Sequence, residues 1–222
     1  MDLDLVVPPD VLKPRAETEL LAKEALALLA RLERSSRPIV IDMCCGSGNL
    51  AVALAARVPA CRVWAADLTD AAVAAAELNV GRHDLGLRVT VRQGDLFEAL
   101  AADDLWGKVD MIVCNPPYIS TAKLEGASAD LLSTEPREAF DGGPFGLSIH
   151  QRLLKEGPSY LKRDGLLLCE FGEGQSRQLA ALFQRAKGYG PVEFARNERG
   201  VERVAIARCL SPSVGHQEES AP

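Results

Sequence analysis

A short run of the chain, Ile39-Val40-Ile41-Asp42-Met43-Cys44-Cys45-Gly46-Ser47-Gly48-Asn49, has the pattern of a strand that turns into a helix. Its first residues are apolar and β-branched, which is typical of a short buried strand. Its glycines predict a tight turn, and residues 50–57 have the composition of a helix. In this order, the backbone N–H groups at the start of the helix can face a bound ligand. We therefore expect an α/β protein with a ligand site at this turn.

Strand and helix patterns alternate along the rest of the chain. Such alternation is typical of a parallel sheet that is covered on both faces. A short connection separates the last two strands, so we expect these two to be antiparallel. The prediction is a mostly parallel, seven-stranded sheet with helices on both faces and an antiparallel last strand. Further strands are predicted at residues 62–67, 89–92, 109–114, 165–171, 192–194 and 204–207, and further helices at 17–32, 70–80, 148–161 and 175–187.

The length and composition fit one domain. The chain has 222 residues with 47% hydrophobic content, which is enough for one substantial core. We expect an N-terminal extended segment and helix (1–37) packing on the main domain (38–210), followed by a polar tail (211–222) that is disordered. The formal net charge of −6 and the pI of about 5.2 disfavour a dedicated nucleic-acid-binding function.

The six cysteines show no metal-binding or redox spacing. There is no C-x-x-C pair and no histidine at zinc-ligand intervals, so we expect reduced thiols and no metal site. Met1 is followed by Asp2 and Asp4 rather than by a basic segment, and no apolar run approaches the roughly 20 residues that span a bilayer. The expected location is the cytoplasm, without membrane contact.

Polar residues follow three further predicted strands at the points where those strands end. They are Asp67, the pair Asp95-Leu96, and the run Asn115-Pro116-Pro117-Tyr118. Open α/β sheets bind ligands outside the carboxyl ends of their strands, so these residues are expected to share one site with the glycine turn. An acid at the end of the second strand, as Asp67 is, commonly holds ribose hydroxyls.

The run from Asn115 to Tyr118 has the chemistry of a receptor for a planar –NH₂ group. Two prolines stop the strand and hold Asn115 in an extended or turn conformation. The Asn115 side-chain carbonyl and the next backbone carbonyl then form two acceptors, and Tyr118 offers a flat face. The group bound could be a carboxamide or the exocyclic amine of a base. The structural alternative is a strand that ends in an ordinary Pro-Pro turn.

This series of motifs resembles the class I S-adenosylmethionine-dependent methyltransferases, and more closely the HemK-type protein-glutamine methyltransferases that modify translation release factors. The resemblance runs from about Val11 to Leu210 and implies a Rossmann-like fold. Three more stretches carry it: Val11-Leu12-Lys13-Pro14-Arg15-Ala16-Glu17-Thr18-Glu19, Glu135-Pro136-Arg137-Glu138-Ala139-Phe140-Asp141-Gly142-Gly143, and Glu170-Phe171-Gly172-Glu173-Gly174-Gln175.

The resemblance also implies roles for individual residues. S-Adenosyl-L-methionine would be the cofactor, and S-adenosyl-L-homocysteine the product. Asn115, Pro116 and Tyr118 would be catalytic, and with Pro117 they would bind the substrate amide, with Arg15 and Arg137 as further substrate contacts. The cofactor would be bound by Cys44, Cys45, Gly46, Ser47 and Gly48 around its methionine part, by Asp67 at the ribose hydroxyls, and by Leu96, beside Asp95, at the adenine. The further cofactor-binding residues implied are Asp42, Leu68, Asp95 and Asn115.

The chain departs from the family pattern at several places, including Lys13 and Ala16, where Ile and Pro are the commoner choices. Cys44 stands where the family often has glycine, which narrows the space beside the cofactor. Bacterial members carry a helical domain ahead of the catalytic one, and the pattern here begins at about residue 11, so we expect that this substrate-holding domain is missing. Thr18 is either the N-cap of the first helix or part of the site, and His83, His150 and His216 are assigned no role.

The favoured function is methylation of a planar amide nitrogen, best represented by the glutamine side chain of a protein such as a release factor. A small-molecule methyltransferase of a biosynthetic pathway is the alternative. A methyltransferase for adenine amines of DNA or RNA is disfavoured by the acidic composition, and a non-catalytic binding module by the complete set of motifs. The sequence predicts a protein or small-molecule amide as partner, and neither nucleic acid nor membrane.

Overall fold

A computed structural model shows the architecture of the chain and describes residues 3–31, 37–133 and 136–210. The predicted disordered tail (211–222), Glu135 and the predicted end of the first helix near Leu32 lie outside the described residues. None of the helices in the described ranges has the length and apolar content that crossing a membrane would require.

A seven-stranded sheet lies at the centre of the molecule, in the order β3-β2-β1-β4-β5-β7-β6. The pairs from β3 through to β5 are parallel, whereas β7 is antiparallel to both β5 and β6. The predicted fold class is therefore confirmed, including the antiparallel last strand. The strands are β1 (Ile39–Met43), β2 (Arg62–Asp67), β3 (Val89–Gln93), β4 (Val109–Cys114), β5 (Leu161–Glu170), β6 (Glu193–Arg196) and β7 (Glu202–Arg208).

Helices pack on both faces of this sheet, because β1, β4 and the second half of β5 are buried along most of their length and need cover on both sides. Residues of α1, α2 and α3 build one hydrophobic layer, and residues of α5 and α6 build the layer on the opposite face. The N-terminal helix therefore shares a core with the main domain. The helices are α1 (Ala16–Leu29), α2 (Asn49–Arg57), α3 (Asp70–Arg82), α4 (Thr121–Glu125), α5 (Ser148–Tyr160) and α6 (Ser176–Ala186).

The region between β4 and α5 contains structure that the sequence did not predict. Besides α4, short 3₁₀ turns lie at Ala129–Ser133 and Arg137–Ala139. Ile119 and Asp141 form an isolated parallel bridge, which ties this loop to the end of the β4 segment. These elements are too short to produce a readable hydrophobic period.

β5 begins earlier than predicted, at Leu161 rather than Gly165. Val109 pairs with Leu161 and Met111 pairs with Leu166, so the register shifts between them. Asp164 takes a left-handed conformation with φ of 66° and its N–H donates to the Cys209 carbonyl. Between these two pairs β5 contains more residues than β4, so the strand is irregular there. The alternating hydrophobic pattern of a strand does not reveal such an irregularity in the sequence.

Of the two roles considered for Thr18, the N-cap of the first helix is wrong. α1 begins at Ala16 with Arg15 at the N-cap position, and no side chain supplies a cap hydrogen bond there. Thr18 lies inside the first turn, is buried, and points its hydroxyl at Glu170 of β5. The Thr18 hydroxyl therefore hydrogen-bonds to a residue far away in the sequence, and it does not cap a backbone N–H of its own helix.

The strand order reverses direction at β1, which has β2 on one side and β4 on the other. Met43 is in register with Ala66 on one side and with Cys114 on the other. The residues that follow these three positions are Cys44, Asp67 and Asn115, so they emerge together at one edge. Crevices at such reversals are where α/β sheets bind ligands.

Candidate active site

The turn after β1 contains three residues in the left-handed conformation, namely Cys44 (φ 58°), Gly46 (φ 53°) and Gly48 (φ 74°). A Cβ atom at Gly48 would lie 3.1 Å from the Cβ of Ala76, so α3 packs directly against the turn. Cys44 adopts this conformation with a side chain, which costs about 1–2 kcal/mol relative to glycine. The Cys44 side chain thereby remains at the wall of the cavity above the turn.

Asp42 supports the turn after β1 from the side away from the cavity. One of its carboxylate oxygens accepts a hydrogen bond from the Ala51 N–H at 2.9 Å, which satisfies a donor in the first turn of α2. The other oxygen has no partner among the described residues, and burial raises the pKa of Asp42 to about 8. Asp42 does not line the cavity, so its position is that of a support for the turn.

Asp67 connects the end of β2 to the same turn. Its carboxylate accepts hydrogen bonds from the Gly46 N–H at 2.9 Å and from the Thr69 N–H at 3.3 Å. Burial raises the pKa of this carboxyl group, while the N–H donors oppose the shift. The carboxylate faces the cavity and keeps lone pairs that could accept from ligand hydroxyls.

A cavity of about 320 Å³ lies over the carboxyl edge of β1, β2 and β4. The cavity is lined by apolar side chains, by the backbone of the glycine turn and by the Asp67 carboxylate. Such a lining suits a nucleoside joined to a short charged chain. Cys45, Ser47 and Gly48 lie outside the cavity wall and, with Asp42, shape the turn behind it. The predicted cofactor residues that line the cavity are Cys44, Gly46, Asp67, Leu68, Asp95, Leu96 and Asn115.

Two residues that the sequence analysis did not identify position parts of this wall. Arg152 of α5 donates to both carboxylate oxygens of Asp95, at 2.8 and 2.9 Å. Asn79 of α3 is fully buried and bonds to both backbone groups of Val6, at 2.8 and 2.9 Å, and to the Ser47 carbonyl at 2.8 Å. Asn79 thus ties the N-terminal segment to the glycine turn. An asparagine within an alanine-rich helix was the available sequence signal.

A second, smaller pocket of about 70 Å³ opens beside the cavity. The two spaces share three lining residues, which are Leu12, Asn115 and Ala139. Pro116, Tyr118 and Arg15 also line the small pocket, as does Glu170. Asn115 therefore stands at the boundary between the larger cavity and a pocket of side-chain size.

Hydrogen bonds hold the Asn115 side chain in one orientation. Its Nδ2 donates to the Thr18 hydroxyl at 3.1 Å, and that hydroxyl donates to Glu170 Oε2 at 3.1 Å. The Tyr118 hydroxyl donates to Glu170 Oε1 at 2.8 Å. Neither Asn115 Oδ1 nor the Pro116 carbonyl accepts a hydrogen bond from the described part of the chain. Both oxygens are thus available for a ligand.

The carboxyl end of β5 supports the Asn115–Tyr118 segment. Gln175 accepts from the Gly172 N–H at 2.7 Å and donates to the Tyr118 carbonyl at 3.0 Å. A Cβ atom at Gly172 would lie 2.7 Å from the Gln175 side-chain oxygen and 3.2 Å from the Tyr118 ring. Glycine at this position therefore allows the close contact between the two segments.

The predicted substrate contacts occupy different places. Arg15 lines the small pocket, with its guanidinium 5.4 Å from the centre of the Phe140 ring. Arg137 lines the larger cavity instead and pairs with Asp141 at 3.0 Å. The role of Arg137 in substrate binding stays a prediction. The residue lines the larger cavity and does not line the small pocket.

Glu170 and Arg203 are the main site residues that the sequence analysis left without a role. Glu170 is 1% exposed and directly follows the apolar run at residues 166–169, and a charge at the end of such a run was the signal. Arg203 of β7 donates to the Tyr118 hydroxyl at 3.1 Å and lies 3.5 Å from Glu17. His150, assigned no role, contacts the Glu170 backbone carbonyl through Nε2 at 2.8 Å.

Comparison with known proteins gives a consistent picture. The family model described as "Methyltransferase small domain" matches residues 21–145. The release factor glutamine methyltransferase of Geobacter sulfurreducens is 38% identical over 206 residues, which cover 93% of this chain and 68% of that protein. The enzyme of the same name from Moorella thermoacetica is 38% identical over 207 residues, covering 93% of this chain and 70% of the relative.

Among solved structures, the METTL16 methyltransferase domain superposes with a TM-score of 0.68 at 19% identity and covers 92% of this chain and 73% of that one. This similarity supports the fold, whereas the curated relatives define the family. The glycine turn, the Asp67 carboxylate and the Asn115–Tyr118 segment all meet at one crevice in that fold. The chain belongs to the HemK-type protein-glutamine methyltransferase family and is an S-adenosyl-L-methionine-dependent methyltransferase.

Proposed function

We propose that this chain methylates the side-chain amide nitrogen of a glutamine in a protein, with a translation release factor as the substrate. The observation that carries the proposal is the position of Asn115, which lines both the large cavity and the small pocket. A cofactor in the cavity and an amide in the pocket would meet at this residue. The names of the relatives support the choice of protein substrate.

The size of the small pocket favours a side-chain amide over a base. At about 70 Å³ it has less than a quarter of the volume of the neighbouring cavity, which is about 320 Å³ and suits a nucleoside. A primary carboxamide has four heavy atoms with the methylene carbon, whereas a purine needs far more space. This comparison argues against adenine as the methyl acceptor, as does the net charge of −6.

The residues of the chain would supply alignment and electrostatic stabilisation. When bound, S-adenosyl-L-methionine supplies a methyl group on a positively charged sulfur. Asn115 Oδ1 and the Pro116 carbonyl would accept the two N–H protons of the amide, which directs the nitrogen lone pair towards the cavity. As the nitrogen–carbon bond forms, the carbon–sulfur bond breaks and its electron pair leaves on sulfur. Positive charge then develops on nitrogen, and these two oxygens would stabilise it. The excess proton can leave to water after the transfer.

The larger cavity would hold the cofactor through residues that fit its parts. Asp67 is proposed to accept from the ribose hydroxyls, and Leu68 and Leu96 to contact the adenosine moiety. The glycine turn brings backbone close to the methionine portion, where a larger side chain would intrude. Asp42, Cys45, Ser47 and Gly48 would act by shaping that turn.

The test is incubation of the purified protein with labelled S-adenosyl-L-methionine and three substrates, followed by peptide mass spectrometry. The substrates are a whole release factor, the same protein with its candidate glutamine replaced by alanine, and an adenine-containing oligonucleotide. We expect one methyl group on the glutamine of the intact protein and none on the other two. Transfer to the oligonucleotide alone, or to no protein glutamine, would refute the proposal.

A further inference from the structure

A chain of buried hydrogen bonds joins three residues that are far apart in sequence. Glu170 ends β5, Thr18 lies in the first turn of α1, and Asn115 follows β4. The Thr18 hydroxyl bridges the other two, accepting from Asn115 Nδ2 and donating to Glu170 Oε2, both at 3.1 Å. We call this set the orienting chain.

The direction of these hydrogen bonds follows from the chemistry of the groups. An ionised carboxylate can only accept, so the single proton of the Thr18 hydroxyl must point at Glu170. The hydroxyl oxygen can then only accept from Asn115, which therefore turns its –NH₂ group towards Thr18. The remaining atom of that amide, Oδ1, is left to face the ligand side.

We propose that Glu170 and Thr18 are positioning residues that fix Asn115 with its oxygen presented to the acceptor pocket, and that this orientation makes the site select a carboxamide over a carboxylate. The inference rests on the proposed function, since it concerns the same methyl acceptor. With Oδ1 and the Pro116 carbonyl both presented, the pocket offers two acceptors and matches an –NH₂ donor. A glutamate carboxylate would bring its negative oxygens against two carbonyl oxygens.

This discrimination matters because a carboxylate is also a nucleophile. If glutamate occupied the pocket, one of its oxygens could bond to the methyl carbon while the carbon–sulfur bond breaks and the electron pair leaves on sulfur. The products would be a methyl ester and S-adenosyl-L-homocysteine, with no proton to be released. Rejection of glutamate therefore requires a feature of the pocket, and the fixed polarity of Asn115 supplies it.

The surroundings of Glu170 keep it in place and ionisable. The His150 ring contacts its backbone carbonyl, and burial lowers the pKa of His150 to about 4, so the neutral ring can donate that hydrogen bond. Burial raises the pKa of Glu170 to about 7, whereas the Tyr118 and Thr18 hydroxyls and Arg203 lower it and Glu17 raises it. Arg203 Nη2 lies 4.0 Å from Glu170 Oε1. Protonated Glu170 could donate to Thr18 and reverse the chain.

The experiment compares Thr18→Val, which removes the hydroxyl at nearly constant volume, with Thr18→Ser, which keeps it. Thr90→Val makes the same change in β3, remote from the site, and serves as the control. Single-turnover rates are measured with a glutamine peptide and with the same peptide carrying glutamate. We expect Thr18→Val to lose about 10- to 100-fold in rate on the glutamine peptide, because a small misorientation at a reacting centre is costly. Cofactor affinity should be unchanged, and Thr18→Ser should keep most of the rate.

Two further readouts separate orientation from simple loss of structure. Below pH 7 the wild-type rate should fall as Glu170 is protonated, and in Thr18→Val this dependence should disappear. Ester formation on the glutamate peptide should rise relative to glutamine methylation in Glu170→Gln, since the new –NH₂ group can donate to Thr18 and turn the Asn115 amide around. The inference would be overturned if Thr18→Val methylated the glutamine peptide at the wild-type rate. It would also be overturned if Thr18→Ser lost as much of that rate as Thr18→Val.

The Asn115 side-chain –NH₂ signals in nitrogen-15 NMR spectra test the orienting chain without any substrate. They should shift in Thr18→Val and remain near the wild-type positions in Thr18→Ser and Thr90→Val. If wild-type protein methylates no glutamine but these shifts occur, the proposed function fails and the orienting chain stands. If glutamine is methylated and the Asn115 signals are the same in all variants, the orienting chain is refuted.

Discussion

Replacing Asn115 tests the assigned chemistry most directly. Asn115→Ala removes one of two acceptors at the point where positive charge would develop on the substrate nitrogen. Loss of one preorganised group of this kind costs about 10²–10³ in turnover. The Pro116 carbonyl remains as an acceptor, which limits how large the loss in turnover can be. The folded state should survive, because the Thr18 hydroxyl still donates to Glu170 and a single hydrogen bond of about 1 kcal/mol is lost.

Asn115→Asp provides a sharper comparison, because it keeps an acceptor and adds a negative charge. The new carboxylate cannot donate to Thr18, and it would compete with Glu170 for the one hydroxyl proton. We expect tighter cofactor binding, from the charge facing a sulfonium, and slower transfer, because the ground-state sulfonium is stabilised more than the transition state, in which its charge is already dispersing.

The assay is single-turnover methylation of a glutamine peptide, with cofactor affinity measured separately by calorimetry. The expected result for Asn115→Ala is a large loss in rate with little change in cofactor affinity. If that variant transfers the methyl group at the wild-type rate, the acceptor role of Asn115 is refuted, and with it the mechanism proposed for the planar nitrogen.

Three further predictions concern the cofactor, the turn and pH. Asp67→Ala should weaken S-adenosyl-L-methionine binding roughly 10- to 100-fold by calorimetry, since charged acceptors contribute about 1.5–3 kcal/mol; unchanged affinity would contradict the ribose assignment. Gly48→Ala should lower the free energy of unfolding in denaturant titrations by about 1–3 kcal/mol more than Gly200→Ala. Both glycines have φ near 75°, but among the described residues an added Cβ would meet Ala76 at Gly48 and nothing within 4 Å at Gly200. The wild-type single-turnover rate should fall as the pH drops through about 7, where Glu170 gains a proton, and a flat profile between pH 6 and pH 8 would count against an ionised Glu170.

The sequence by itself determined the order and type of the seven strands and of the longer helices, and the edge of the sheet at which the site lies. Local patterns were sufficient there, because a run such as Val109–Cys114 is apolar apart from Asp110 and is followed, after Asn115, by two prolines that cannot continue a strand. Glycine at position 48 could likewise be interpreted locally, since a strand that turns into a helix within a few residues needs a left-handed conformation.

Tertiary structure alone decided which residues of the motifs face the ligand and which ones support them. Asp42 and Cys44 are neighbours in one motif, yet the first lies below the turn and the second at the cavity wall. The partners of Thr18 lie 97 residues away at Asn115 and 152 residues away at Glu170, and no local pattern encodes a contact at that separation. A hydroxyl hydrogen-bonds to whichever group the fold brings within reach, so its role depends on how α1 packs against β5 and the segment that follows β4.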